Sequence, residues 1–554
     1  MLQKKNTMSE QLHSKGISNR VYIWLFGLST LAYIIGLFTD IMDVDASQYA
    51  SISREMAVSH SYLIVKHRLH DYLDKPPLLF WLSTLSLKLF GLCNWAYKLP
   101  SFLSSMLGAY ATYRLGCILY NRNTGRLAAL FLYCCEAYFL FNNDVRTDTL
   151  LANFVIVCLW QLIAYIEFKK WHHWFFGFTA MAAAMLAKGP IGAVIPAFAL
   201  GTHLLYTRNW KTIFKVEWLA GALWLLVLLS PMLWGLYLQY GTEGIRFFFW
   251  TQSFGRITGE NVWKNDSGYF FFVHTFLWSF LPWSFFTFVA IFQALKHLIV
   301  TKAERRNPGE LYTLGGFLLG FVALSFSHYK LPHYIYVIFP LGALFTAAFV
   351  EENKNNNAFL KFFTILQAFV VTVMWTGLTI LCGWAFPGLS WSLLILTIVL
   401  LGSVIYFNIK GSNALSKLIL PSALTMIATA FLLNGHLYPY LLKYQCGKPI
   451  AKAINEMKIP KKDIYAGWMS HSLEFYHGDI LPNVSPDEFA DTLRRKGHAW
   501  LVADEDFKKR MEEKMVVPLH VYTFNEFSVT RLKLKFINPE TRGDLLEKRY
   551  LIQY

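Results

Sequence analysis

Long apolar stretches, separated by short polar loops, occupy most of the chain up to about residue 435. A stretch of roughly 17–25 apolar residues is long enough to cross the hydrocarbon core of a bilayer as a helix. Stretches of this length, or slightly shorter where polar residues intrude, predict spanning helices at 21–39, 99–119, 127–143, 149–167, 173–188, 190–206, 217–238, 269–296, 311–328, 333–350, 360–383, 391–409 and 417–435. The pattern therefore predicts an all-α polytopic membrane protein.

The charges of the loops predict the orientation. Loops rich in Lys and Arg lie on the cytoplasmic side of a membrane, and here they are 120–126, 169–173, 207–215 and 302–307. A further apolar run, 76–92, would move loop 120–126 to the outside if it crossed. We therefore interpret 76–92 as a juxtamembrane helix in the outer interface, with Pro76 and Pro77 at its start.

Thirteen spanning helices result, and they divide the chain into three parts. These are a cytoplasmic N-terminal segment (1–20), a membrane domain (21–435) and a periplasmic tail (436–554). In the tail, period-two patterns predict strands within 462–469, 498–507 and 516–536, and amphipathic patterns predict helices at 448–457 and 485–497. The tail is expected to be a small α/β domain.

Composition excludes several classes of protein. The chain has 554 residues, of which 55% are hydrophobic and 16% charged, and its mean hydropathy is +0.36, which is too apolar for an ordinary soluble protein. The net charge of +16 is spread over short clusters between apolar runs and therefore indicates topology, not nucleic-acid binding. The chain has no glycine-rich phosphate loop, which argues against a nucleotide-driven pump.

Asp45, Lys75 and Asp148 each lie just outside an apolar stretch, and the loop charges place all three on the outer face. A carboxylate at a membrane edge is costly unless it is solvated, paired or functional. Two structural alternatives remain open. Asp45 could cap a helix, a task for which Asp43 is also available, and Asp148 could stabilise the first turn of a helix with Arg146 neutralising it.

Further polar side chains surround these three on the outer face. Asp74 flanks Lys75, and the remaining cations and tyrosines are Lys188, Arg256, Lys330, Tyr49, Tyr72 and Tyr334. Fixed cations stabilise a phosphate leaving group, and a carboxylate near the reacting carbon can act as a general base. The set therefore suits glycosyl transfer from a polyprenyl phosphate, and the structural alternative is a group of solvated interface charges.

The motifs that hold these residues occur in a fixed order: D-x-x-x-Y-A-x-I-S-R-E-M (45–56), Y-x-D-K-P-P (72–77), R-x-D (146–148), A-K-G-P (187–190), F-x-x-x-x-x-F-x-R (248–256) and K-L-P-x-Y (330–334). The ordered set resembles the protein O-mannosyltransferase-related group of the GT-C superfamily, and it is most similar to the bacterial transferases that add aminoarabinose to lipid A. The resemblance covers the membrane part, whereas the tail resembles the group only through SLEFYHGD (472–479).

The resemblance implies an inverting glycosyltransferase of the bacterial inner membrane. Its donor would be a sugar on undecaprenyl phosphate, its acceptor a lipid or glycan such as lipid A, and its active site would be periplasmic. The roles implied are catalysis for Asp45 and Asp148, phosphate binding for Lys75 and Arg256, and further substrate contacts for Lys188 and Tyr334.

The chain also departs from the group's pattern. Ala46 and Gln48 replace an acidic and a basic residue, and Gln252-Ser253 replaces a Glu-His pair whose histidine resembles a metal ligand. We therefore carry over no metal, and the cofactor requirement is unknown. Two alternatives remain: a protein or glycan O-glycosyltransferase of the same family, and a lipid or solute transporter. The second is disfavoured because transporter sites usually lie near the bilayer midplane.

Overall fold

A computed structural model describes residues 16–251, 255, 267–300, 309–411 and 413–554, with side chains omitted at 297–300. The part up to Tyr444 is helical apart from one short hairpin. Besides two juxtamembrane helices described below, its helices are Asn19–Leu37, Asn94–Leu119, Arg122–Tyr133, Glu136–Asn143, Thr147–Phe168, Trp171–Lys188, Ile191–Tyr206, Trp210–Ile213, Val216–Tyr240, Thr242–Arg246, Phe247–Thr251, Phe271–Ser279, Ser284–Val300, Glu310–Ser325, Pro332–Ile338, Phe339–Glu352, Asn357–Thr379, Ile380–Ala385, Trp391–Lys410, Ala414–Leu432, Leu433–Leu437, Tyr438–Leu441 and Leu442–Tyr444.

Every stretch predicted to span the membrane falls on helix, so the predicted all-α membrane fold is confirmed. Within the described ranges, seven helices are long and apolar enough to cross a bilayer on their own, or eight if one bent pair is a single span. Shorter apolar helices accompany them at 78–90, 191–206, 284–296 and 310–325. The count of thirteen stays a prediction.

Two runs predicted as single helices are each broken. The run 127–143 bends by 51° between its two helices, and the run 269–296 is interrupted around Pro282. The two breaks lie against each other, since the backbone amide of Glu136 donates to the carbonyl of Leu281 at 3.2 Å. Proline has no amide hydrogen to continue a helix. The carbonyl of Leu281, at the break next to Pro282, therefore accepts a hydrogen bond from the first residue of the helix Glu136–Asn143.

A further layer consists of helices Asp45–Ser59 and Leu78–Phe90 and a hairpin of strands Lys66–His67 and His70–Asp71; the sequence predicts that it lies in the outer interface. The predicted helix at 76–92 is observed as Leu78–Phe90. Its 13 residues span about 20 Å at 1.5 Å per residue, which is less than the ~30 Å of a hydrocarbon core. This length supports an interfacial position for the helix.

The tail forms a four-stranded sheet in the order Ile464–Ala466, Trp500–Asp504, Glu547–Gln553 and His520–Glu526, with only the first pair parallel. The predicted α/β class is confirmed. The strand within 516–536 ends at Glu526, and the pattern did not predict the strand Glu547–Gln553 or the helix Glu505–Glu513. The other tail helices are Gly447–Glu456, Lys461–Asp463, His471–His477, Pro486–Lys496, Leu534–Ile537 and Gly543–Leu545.

The connection between the last two strands anchors the tail on the membrane part. The rings of Phe527 and Phe536 stack with centroids 3.8 Å apart, and both belong to a cluster that includes Phe386. The buried guanidinium of Arg542 donates to the carbonyl of Ala385 at 2.6 Å and lies over the Phe386 ring. The tail is therefore packed against the membrane part at Ala385 and Phe386.

Candidate active site

The first turn of helix Thr147–Phe168 organises the charges of the site. Arg146 precedes this helix in extended conformation. Its Nη1 contacts Asp45 Oδ2, and its Nε donates to Asp144 Oδ2 at 2.7 Å. Arg146 therefore pairs with Asp45 and Asp144, whereas the sequence suggests that it neutralises Asp148.

Asp148 has a different partner. Its Oδ1 accepts from Lys188 Nζ, and His333 Nε2 lies 3.9 Å from its Oδ2. Lys188 ends the helix Trp171–Lys188, where a cation is favoured by the helix dipole, and its Nζ lies 4.0 Å from the ring centroid of Tyr334. The structure thus brings together three residues predicted for the site: Asp148, Lys188 and Tyr334.

The two aspartates differ in accessibility. The side chain of Asp148 is 3% exposed, whereas that of Asp45 is 41% exposed. Asp45 does not cap its helix, because Val44 is the N-cap residue and no side-chain capping bond forms; Asp43 accepts from Ser47 Oγ instead. Asp45 is therefore a partly solvated carboxylate that a ligand can reach, and Asp148 is a closed ion pair.

Lys75 and Tyr72 line the same cleft. The Nζ of Lys75 contacts Asp74 Oδ2, and the cleft is narrow, with a volume of about 20 Å³. The lining residues are Leu63, Val65, Tyr72, Leu73, Lys75, Pro76, Pro77, Met232, Leu236, Gln239, Phe247 and Phe248. The cleft is thus apolar apart from a few polar groups, the composition that suits an amphiphilic ligand.

Tyr72 and Tyr49 connect Asp45 with the Lys75 cleft. Burial raises the pKa of Tyr72 well above its usual value, and the charges of Asp74 and Asp45 add to the shift. The pKa of Tyr49 is raised for the same main reason, with Tyr72 and Asp45 adding to it. Both phenols are therefore neutral, and Tyr72 is the one that lines the cleft.

Two predicted cations have no described contact with either aspartate. Lys330 is buried, and its Nζ donates to the carbonyl of Ser267 at 2.9 Å and lies 5.8 Å from the ring centroid of Tyr269. Arg256, like Gln252 and Ser253, lies outside the described residues. In the parts of the chain that are described, no group of three or more His, Cys, Asp and Glu side chains is suited to a metal ion.

The sequence did not predict that the tail holds the segment before Asp45. The amide of Ile41 donates to Tyr476 OH at 2.9 Å, the amide of Asp43 donates to Gln445 Oε1 at 2.8 Å, and Ser472 Oγ donates to Asp43 Oδ2 at 3.0 Å. Ser472 and Tyr476 belong to the stretch SLEFYHGD (472–479). The resemblance of this stretch to the family was the one signal in the sequence that the tail contributes to the site.

Comparison with known proteins agrees with the fold. Residues 74–234 match the family described as dolichyl-phosphate-mannose-protein mannosyltransferase. The chain also superimposes on the crystal structure of ArnT from Cupriavidus metallidurans bound to undecaprenyl phosphate with a TM-score of 0.75 and 18% identity, over 97% of this chain and 98% of that one. The apo form gives a TM-score of 0.73. These structures show that the two proteins share a fold.

Relatives by sequence include undecaprenyl phosphate-alpha-4-amino-4-deoxy-L-arabinose arabinosyl transferases. The one from Shewanella sediminis is 23% identical over 76% of this chain and 77% of its own length. Transferase 2 from Proteus mirabilis is 26% identical over 52% of this chain, and the match spans about half of that protein (52%). The chain is thus a multi-pass membrane glycosyltransferase, and it is similar to the bacterial aminoarabinose transferases.

Proposed function

We propose that the protein moves a sugar from undecaprenyl phosphate to an envelope acceptor of the lipid A type at the periplasmic face, with inversion at the anomeric carbon. The observation that carries the proposal is the contrast between the two aspartates. Asp148 is closed by Lys188, whereas Asp45 keeps 41% of its side chain exposed. The charge of Asp45 acts on Tyr72, which lines the cleft that holds Lys75. The names of the sequence relatives and the ArnT fold support the choice of donor.

The reaction assigns roles to Lys75, Arg256 and Asp45. A nucleophile of the acceptor attacks C1 of the sugar, the bond from C1 to the phosphate oxygen breaks, and undecaprenyl phosphate leaves with the electron pair. Lys75 stabilises the charge that develops on this phosphate, and the sequence pattern assigns Arg256 to the same task. Asp45 accepts the proton if the nucleophile is a hydroxyl group. A phosphate oxygen of the acceptor attacks without a base.

The test is in vitro transfer from an undecaprenyl-phosphate sugar with the variant Lys75→Ala. We expect a loss of about a hundredfold or more, the scale for removing one group that stabilises transition-state charge. Lys448→Ala is the matched control, since Lys448 also lies on the outer face and pairs with an aspartate, Asp40, at 2.5 Å. Equal turnover in both variants at equal protein level would reject the role of Lys75 and with it the proposed site.

The periplasmic orientation has its own test. Alkaline phosphatase fused after residue 440 should be active, and fused after residue 122 it should be inactive, because loop 120–126 carries the cytoplasmic charge pattern. Activity of the fusion after residue 122 and none after residue 440 would show that the protein has the opposite orientation in the membrane.

A further inference from the structure

A second groove lies beside the Lys75 cleft and shares Leu63 with it. It is formed by the loop after helix Asp45–Ser59 and by the juxtamembrane helix Leu78–Phe90, and its volume is about 270 Å³. Its lining residues are Tyr62, Leu63, Trp81, Thr84, Leu85 and Lys88. The function proposed above assigns no role to this groove.

The walls of the groove are held in place by contacts within the protein. Trp81 Nε1 donates to the carbonyl of Tyr62 at 2.7 Å, which fixes the loop on the helix. On the other side, the loop lies so close to helix Val216–Tyr240 that a Cβ added at Gly235 would be 2.1 Å from the carbonyl oxygen of Leu63. The groove is therefore preformed, which lowers the entropic cost of binding.

Lys88 gives the groove a positive charge. Its Nζ lies 3.0 Å from His60 Nδ1 and contacts the hydroxyl of Tyr62. Lys75 and Lys188 are each paired with an aspartate, whereas no carboxylate of the described chain forms a salt bridge with Lys88. The charge of Lys88 is thus available to an anion, and the Tyr62 hydroxyl beside it is a second donor.

The same helix exposes an apolar face next to this cation. Leu85 is 56% exposed and Leu89 66% exposed, and residues four apart lie on one face of a helix. Lys88 lies one residue before Leu89, so charge and apolar surface adjoin at an interfacial helix. A ligand that fits both carries a phosphate and hydrocarbon chains.

We propose that this groove docks the lipid acceptor, a phosphate-bearing lipid whose phosphate lies at Lys88 and whose acyl chains lie along Leu85 and Leu89. The inference rests on the proposed function and adds to it the position of the second substrate. Sugar transfer between two lipids requires both at once, and two grooves that share Leu63, each with one lysine, hold them side by side. The carrier phosphate takes Lys75 and the acceptor takes Lys88.

The experiment uses the purified full-length protein in phosphatidylcholine nanodiscs and, as the probe, phosphatidic acid with a photoreactive acyl chain. Labelled peptides are mapped by mass spectrometry. We expect labelling within 60–90 that falls about tenfold in Lys88→Gln, the loss for one charge-assisted contact, and persists in Lys88→Arg. Lys452→Gln, at an exposed lysine of the tail, is the matched control and should label as the wild type does.

Two results would overturn the inference. One is equal labelling of 60–90 in the wild type and Lys88→Gln, which would make Lys88 an ordinary interfacial lysine. The other is displacement of the probe by equimolar undecaprenyl phosphate, which would give the groove to the carrier. Labelling needs no sugar transfer, so these results are separate from a failure of Lys75→Ala to affect turnover.

Discussion

Replacing Asp45 by Asn separates a catalytic carboxylate from a structural one. The variant keeps the shape of the side chain and removes its charge. Arg146 retains Asp144, whose Oδ2 lies 2.7 Å from its Nε and whose side chain is only 12% exposed. The pair that is lost, Arg146 with Asp45, is the more exposed of the two. Exposed ion pairs contribute ~0–1 kcal/mol to the free energy of unfolding. The first-turn position adds about 0.3–1 kcal/mol through the helix dipole. Folding should therefore be nearly unchanged.

The effect on transfer should be much larger. Asn cannot accept a proton from the acceptor or balance positive charge at the reacting carbon, and loss of a general base costs about a hundred- to ten-thousandfold in rate. The assay is the initial rate of transfer from an undecaprenyl-phosphate sugar, with the melting temperature measured on the same preparation. We expect Asp45→Asn to melt within a few degrees of the wild type and to lose its activity.

Asp144→Asn is the matched control because Asp144 shares Arg146 with Asp45 and is more buried. Removing a buried charged partner costs about 1–3 kcal/mol, so this variant should melt lower than Asp45→Asn and yet transfer faster. Near-normal transfer by Asp45→Asn would refute the reasoning and leave Asp45 as a structural partner of Arg146.

Three further outcomes are expected. Asp148→Asn should lower stability by about 3–5 kcal/mol, because the largely buried ammonium group of Lys188 loses its carboxylate partner, and Asp148→Asn with Lys188→Gln should restore most of the melting temperature. Arg542→Ala should make the tail sensitive to limited proteolysis, since its buried guanidinium donates to three backbone carbonyl groups. Burial raises the pKa of Glu474 to about 7, against the opposing charge of Arg68. The folded protein therefore binds more protons than the unfolded chain, so this contribution is fully present below about pH 4.5 and is lost as the pH rises through 7. This contribution to the free energy of unfolding is ~3 kcal/mol at most. The melting temperature should therefore fall between pH 4.5 and 7 by a smaller amount in Glu474→Gln than in the wild type.

The membrane helices were predictable because bilayer thickness sets their length. Each predicted stretch corresponds to helix in the structure, and the short run 76–92 was identified as the exception. The break at Pro282 was missed although a proline inside an apolar run is a signal for the end of a helix. The break at 134–135 was not predicted; the amide of Glu136 there donates to the carbonyl of Leu281, a residue that comes close only in the packed bundle. Apolar periodicity along one segment contains no information about such a partner.

The sequence predicted which residues belong to the candidate site, but it did not predict which of them form ion pairs with each other. Loop charge places Asp45 and Asp148 on one face, and short motifs identify Lys188 as a neighbour in function. The ion pair of Arg146 with Asp45 joins residues 101 positions apart, and the contact of Ser472 with Asp43 spans 429 positions. Which carboxylate stays open to a ligand follows from these long-range contacts, so the difference between Asp45 and Asp148 required the structure.

The same long-range contacts connect the tail to the proposed site. A reacting carboxylate has to be held within about 0.5 Å of its productive position, and Asp45 begins a helix whose preceding residues lie in a loop. The tail supplies that support, because Gln445, Ser472 and Tyr476 bond to the backbone or side chain of residues 41–43. The opposite side of Asp45 is held by Arg146, whose position is set by Asp144. The backbone before Asp45 is thus held in place while its carboxylate remains exposed. A reacting group needs both properties, whereas a purely structural ion pair does not need an exposed carboxylate.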